Sequence, residues 1–206
     1  MFRASFFVLA FSGMTVQSYE PPRLRGGSVE PVQIMTVAAG AVMLDLTVSE
    51  RGDITNTRVV NDVAPFTDLT RNSISSWQFE PATDNRVRTD SRVVVIGLYR
   101  PPVMLFPRPQ FPDPPPPDDD DAIPFPTEVA VPPYPPNRIG SATVLVEVDV
   151  DERGTVTAAT VLSPETGFDE PATSTAQQWR FRPAQESGRA VRSRVYMIMS
   201  FREPQG

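Results

Sequence analysis

The chain has 206 residues, 40% of them hydrophobic, which is enough for one or two domains. It has no cysteine and no histidine, which excludes a disulfide framework, thiol chemistry and the commonest general base and metal ligand. A net charge of −6 argues against nucleic acid or an anionic membrane surface as a partner.

The chain opens with a short basic start, Met1-Phe2-Arg3, followed by the mainly apolar run Ala4 to Val16. A helix over that run spans about 20 Å, too short for a bilayer core of about 30 Å. Residues 1–18 therefore read as a cleaved secretion signal, with a short membrane anchor as the alternative. From Ala41 to Val48, Val42, Leu44, Leu46 and Val48 alternate on one face, as in a half-buried strand. Glu50-Arg51-Gly52 is a turn, Phe66 to Trp77 has helical spacing, and Arg92 to Arg100 is a third strand. The run Val93-Val94-Val95-Ile96 in that strand predicts cover on both faces.

Between Pro101 and Pro136 lie 15 of the 24 prolines, together with Asp118-Asp119-Asp120-Asp121. Proline fixes φ and removes a donor, and like charges repel, so an extended polyproline spacer is expected over 101–133. Val103, Leu105, Phe106 and Phe111 are unusual in a spacer and suggest packing back onto the first half.

The second half then repeats the first. Val144, Val146, Val148 and Val150 alternate, Asp151-Glu152-Arg153-Gly154 turns, and Thr155 to Leu162 returns. Phe168 to Trp179 is helical, and Val191 to Phe201 is a third strand. Glu50-Arg51-Gly52, Trp77-Gln78-Phe79-Glu80-Pro81-Ala82 and Ser91-Arg92-Val93 all match counterparts 102 residues later. Without gaps, 40–100 and 142–202 share 17 identities in 61 positions. One constant offset from first strand to last indicates duplication of a single unit.

The order of Tyr134-Pro135, the strand Val144 to Val150, Asp151-Glu152-Arg153-Gly154, Phe168-Asp169, Trp179-Arg180-Phe181-Arg182-Pro183, Gly188 and Arg194 to Phe201 resembles the TonB C-terminal domain family. That family usually has a short helix after Tyr-Pro. Here Pro136 to Ser141 leave room only for a turn. The expected fold class is α+β: two tandem small domains, each a three-stranded antiparallel sheet with one helix on one face (β-β-α-β). The divergent first domain occupies 28–100 and the second 134–203, and each is expected to unfold separately.

No catalytic constellation is legible: His, Cys and Lys are absent beside any Ser or Thr, and Asp169-Glu170 reads as a favourable helix start. No enzymatic activity, cofactor or metal is expected. Trp77 and Trp179 read as core residues closing each helix onto its sheet. Arg180 and Arg182 stand where the first copy has Gln78 and Glu80, so the two units differ in charge at one place.

The resemblance implies a periplasmic, TonB-like protein in energy-transducing transport, with a possible inner-membrane tether at the N-terminus. Its partner is expected to be an outer-membrane TonB-dependent receptor, or another periplasmic protein, bound by strand addition. The implied surface is the edge at Arg192, Arg194, Tyr196, Ile198, Ser200 and Phe201. The alternative is a non-transducing periplasmic interaction or scaffold module.

Overall fold

A computed structural model describes residues 18–32, 38–102, 108–116 and 121–204. The expected signal segment lies outside these residues except for Ser18, as do Val103, Leu105, Phe106 and Asp118 to Asp120. The first half runs β1 (Tyr19–Glu20), β2 (Arg23–Gly26), β3 (Gly40–Val48), β4 (Ile54–Asn61), α1 (Phe66–Ile74), β5 (Gln78–Glu80), β6 (Ala82–Asp84), β7 (Val87–Thr89) and β8 (Ser91–Tyr99). The second runs β9 (Phe125–Glu128), β10 (Ala142–Val150), β11 (Val156–Ser163), α2 (Asp169–Gln177), β12 (Arg180–Arg182), β13 (Ala184–Glu186), β14 (Arg189–Val191) and β15 (Ser193–Phe201).

Within each half the three long strands are antiparallel, β4-β3-β8 and β11-β10-β15, with the first strand of the unit in the middle. The turn of each hairpin is tied to the strand after its helix. Gly52 and Gly154 have φ of +91° and +79°, and a Cβ there would lie 2.0 Å and 1.7 Å from the carbonyl oxygens of Phe79 and Phe181. Those phenylalanines donate their N–H groups back to the two glycine carbonyls, at 3.1 and 2.8 Å. The Glu-Arg-Gly and Trp-x-Phe sequences recur together because they touch, and only glycine permits that approach.

α1 buries Phe66, Thr70 and Ile74, spaced four residues apart. α2 buries Ala172 and Ala176, and its first turn carries Asp169, which accepts the Glu165 N–H at 2.7 Å. Both tryptophans are core residues, Trp77 3% and Trp179 0% exposed. Each indole N–H holds the segment that leads into its own unit: Trp77 donates to the Ser28 carbonyl at 3.0 Å and Trp179 to the Ala130 carbonyl at 2.9 Å. Tyr134 stacks edge-on against Phe168 and donates its hydroxyl to the Gly140 carbonyl at 2.9 Å, and a turn at Pro136-Asn137 takes the place of a helix.

Two expectations fail. The halves do not form separate sheets: β8 and β15 pair in parallel, giving one six-stranded sheet in the order β11-β10-β15-β8-β3-β4. The stretch 101–133 is also more than a spacer. Ile123 and Phe125 are buried, β9 pairs with β12, and Ala122 bridges Gln185. Proline is compatible with β9 because an edge strand can leave a donor unused. Phe111 packs edge-on against Phe125 and Trp179, in the core that draws residues from both halves.

The register at the seam decides how the halves combine. Counterparts in sequence differ by 102, yet the seam pairs Val94 with Val195, and 195 − 94 = 101. Strand side chains alternate with period two, so an odd slip sends matching residues to opposite faces. The two helices therefore lie on opposite faces of the common sheet. One core combines Val144, Val146, Val195, Met197, Phe168 and Trp179 with Met43, Val94, Ile96 and Leu98 of the first half. The other combines Val42, Leu44, Val93, Val95, Phe66 and Trp77 with Leu145, Tyr196 and Ile198 of the second.

Cores shared in this way predict one cooperative unfolding transition. Trp179→Ala should lower the whole transition by about 3–5 kcal/mol, the usual cost of deleting a buried aromatic. Chemical denaturation followed by far-UV circular dichroism checks this, and a first-half transition left unmoved by the variant would contradict it.

Candidate partner-binding surface

The structure brings the six residues expected at a free edge together at the seam between halves. β15 has β10 on one side and β8 on the other, so it offers no free edge. Tyr196, Ile198, Ser200 and Phe201 are each at most 1% exposed. Ile198 sits in the core shared with α1, Phe201 packs on Phe168 at 5.1 Å, and the Ser200 hydroxyl accepts the Arg100 N–H at 3.1 Å. The alternation that suggested an open face arises because the partners of that face come from the first half.

Tyr196 is the centre of this junction. Its ring meets Trp77 at 5.7 Å and Phe79 at 5.6 Å, both edge-on. Its hydroxyl donates to the buried Glu147 carboxylate at 3.0 Å and accepts the Leu24 N–H at 2.8 Å. Burial, then the Glu147 charge, pushes the phenol well above its ordinary range, so it remains a donor. Arg194 binds Asp149 at 2.8 Å, lies 3.9 Å from Glu147, and donates to the Pro21 carbonyl at 2.7 Å. Arg23 reaches Glu147 at 3.4 Å, and Arg192, half exposed, comes within 4.0 Å of Glu20. Arg194 and Tyr196 thus do contact an extended segment, the chain's own residues 21–24. In the first half the corresponding site is simpler: buried Asp45 accepts from Arg58 and Arg92, with Val94 where the second half has Tyr196.

The N-terminal segment meets the second half again at Tyr19, which lines one groove with Glu186. Burial and repulsion from Asp121 and Asp84 raise the Glu186 carboxyl above its usual range, against the opposing effects of Tyr19 and Arg189.

The open edges of the sheet are β4 and β11. β4 carries Arg58, which folds back onto Asp45 at 2.9 Å. β11, Val156-Thr-Ala-Ala-Thr-Val-Leu-Ser163, has no charge, proline or glycine, and Thr157, Thr160 and Leu162 are exposed. Such an edge lacks the charges and proline that often block strand addition, although its pairing with β10 is irregular at Thr157 and Leu162. Sequence reasoning passed over β11 because it placed the free edge on the last strand of an isolated unit. Among the described residues no helix is long and apolar enough to cross a membrane, and no three or more acidic side chains gather as metal ligands do.

Residues 132–202 match the family model described as Gram-negative bacterial TonB protein C-terminal. Tyr134, the hairpin turn at Gly154, Trp179 and β15 all lie inside the match, which spans about a third of the chain. The match covers one copy, and the kinship of the first half rests on the constant offset and the shared architecture. No curated protein and no solved structure matches the chain.

Two outcomes follow. Tyr196→Phe should cost about 1–3 kcal/mol, because buried Glu147 loses a donor and the Leu24 N–H an acceptor. Unchanged stability in a denaturant titration would contradict this role. The folded state also holds the Glu186 proton more tightly than the unfolded state does. Stability from this group is full at low pH and falls as pH rises through the raised folded value. Glu186→Gln should therefore melt above the native protein near pH 7, with the gap closing toward about pH 4, the ordinary carboxylate range. A gap independent of pH in thermal melts would contradict it.

Proposed function

We propose that this chain is a periplasmic TonB-like protein that binds outer-membrane transporters by accepting an extended segment along β11. The observation that carries this reading is an uncharged, unpaired eight-residue edge inside the stretch that matches the TonB C-terminal family. Backbone hydrogen bonds along β11 would supply affinity, and alternate side chains beside Thr157, Thr160 and Leu162 would supply selectivity. The strand expected to bind, 192–201, is displaced from this role because β8 already fills its side. The same closure favours a second reading, a periplasmic interaction module that transduces nothing, since the first half occupies the second half's last strand.

Titration of the full chain with TonB-box peptides, followed by NMR, separates these readings. The first predicts amide shifts confined to 156–163 and its neighbours. Proline at Thr160 or Val161, whichever N–H points off the edge, should abolish them with the fold intact, because an edge tolerates the lost donor. No shifts at millimolar peptide would leave the interaction module as the better description. Shifts centred on 192–201 would mean that the seam opens, contrary to the fold.

A further inference from the structure

The first half carries a second surface that the strand-addition reading does not use. A groove of about 400 Å³ lies beside β2, β5 and β7. Arg23, Arg25, Arg51 and Arg88 line it and are exposed, and the better-buried Arg194 closes one side. Glu20 and Glu80 are the carboxylates in its lining, while Glu147 and Asp149 beside it pair with Arg23 and Arg194, so Arg51 and Arg88 carry the uncompensated positive charge. Arg25 meets Glu80 at 3.4 Å and Arg23 meets Glu147 at 3.4 Å. Arg51 and Arg88 make no ion pair among the described residues.

The duplication supplies an internal comparison. Adding 102 to positions 23, 25 and 88 gives Phe125, Thr127 and Ala190, and only Arg51 has a basic counterpart, Arg153. The backbone of both units is the same here, since β2 pairs with β5 as β9 pairs with β12. The fold therefore does not require these arginines, and the first unit has a local basic surface that the second lacks. Arg23 and Arg25 both line the groove, with Leu24 packed against the core between them and Arg25 at an irregularity in the pairing of β2 with β5. Guanidinium groups pair with carboxylates through two parallel hydrogen bonds.

From this we infer that the Arg23–Arg25–Arg51–Arg88 groove docks an acidic, extended peptide segment of a partner protein. The groove is separate from β11, so the two sites are tested independently. The probe is a fluorescein-labelled hexapeptide of alternating Glu and Thr, titrated with the full chain at low ionic strength and followed by anisotropy. Binding should weaken as salt rises, because exposed charges are screened. The double variant Arg51→Glu/Arg88→Glu should bind at least about tenfold more weakly, and Arg153→Glu in the second unit should stay within about twofold of the native chain. Both variants alter exposed side chains, and an unchanged thermal melt verifies the fold. No binding, or equal loss with Arg153→Glu, overturns the inference. Binding of phosphatidylglycerol vesicles with the same arginine dependence, without peptide binding, also overturns it and makes the groove a lipid-headgroup site.

Discussion

The parallel pairing of β8 with β15 is the constraint on which the rest of the structure depends. It joins two antiparallel three-stranded units into one sheet and uses the odd pairing offset of 101 against the sequence offset of 102. Because side chains alternate along a strand, that single-residue slip places the two helices on opposite faces. Each face of the sheet is then covered by one helix and its tryptophan, and each core draws residues from both halves. The mirrored strand order about a parallel seam requires the same arrangement, because β3 and β10 flank it on opposite sides and two units of one hand must then turn their helices to opposite faces.

The seam also explains why the polar groups beside it are tolerated. A buried carboxylate needs donors, and Glu147 finds them in Tyr196 and the guanidinium groups of Arg194 and Arg23. Tyr196 and Arg194 belong to the same half as Glu147, and Arg23 of the first half adds a further cation. The lead-in segments do similar work. Residues 19–26 and 121–128 each pair with the strand after the helix and are fastened by an indole N–H. The first lead-in also touches β15 and shares a groove with Glu186 of the second half. Sheet closure covers both sides of β15 and leaves β4 and β11 as the open edges.

Much of the unit was legible in the sequence. The alternating valines, the Glu-Arg-Gly turns, the helix spacing and the core role of both tryptophans all follow from local chemistry, and the order of these pieces pointed to the family that residues 132–202 match. The continuous apolar run Val93 to Ile96 correctly signalled a strand covered on both faces. The same inference failed for β15, because Tyr196 and Ser200 look like solvent-facing residues until Leu24, Glu147 and Arg100 supply their partners. The lead-in repeat escaped notice for another reason. Residues 19–26 and 121–128 share only the proline at 22 and 124, since main-chain pairing asks little of side chains. The basic groove was not legible because its arginines are scattered over β2, a turn and β7 and converge only in the fold.

The seam holds the two halves in one sheet, and amide hydrogen exchange tests it most directly. In the full chain, the amides of Val94 to Leu98 and Val195 to Met199 should include the slowest to exchange, at rates set by global unfolding. That result would place both strands inside one sheet. Exchange of the seam-facing amides of β8 and β15 at rates typical of an exposed edge, with the rest of each unit still protected, would contradict the single sheet and restore two separate domains.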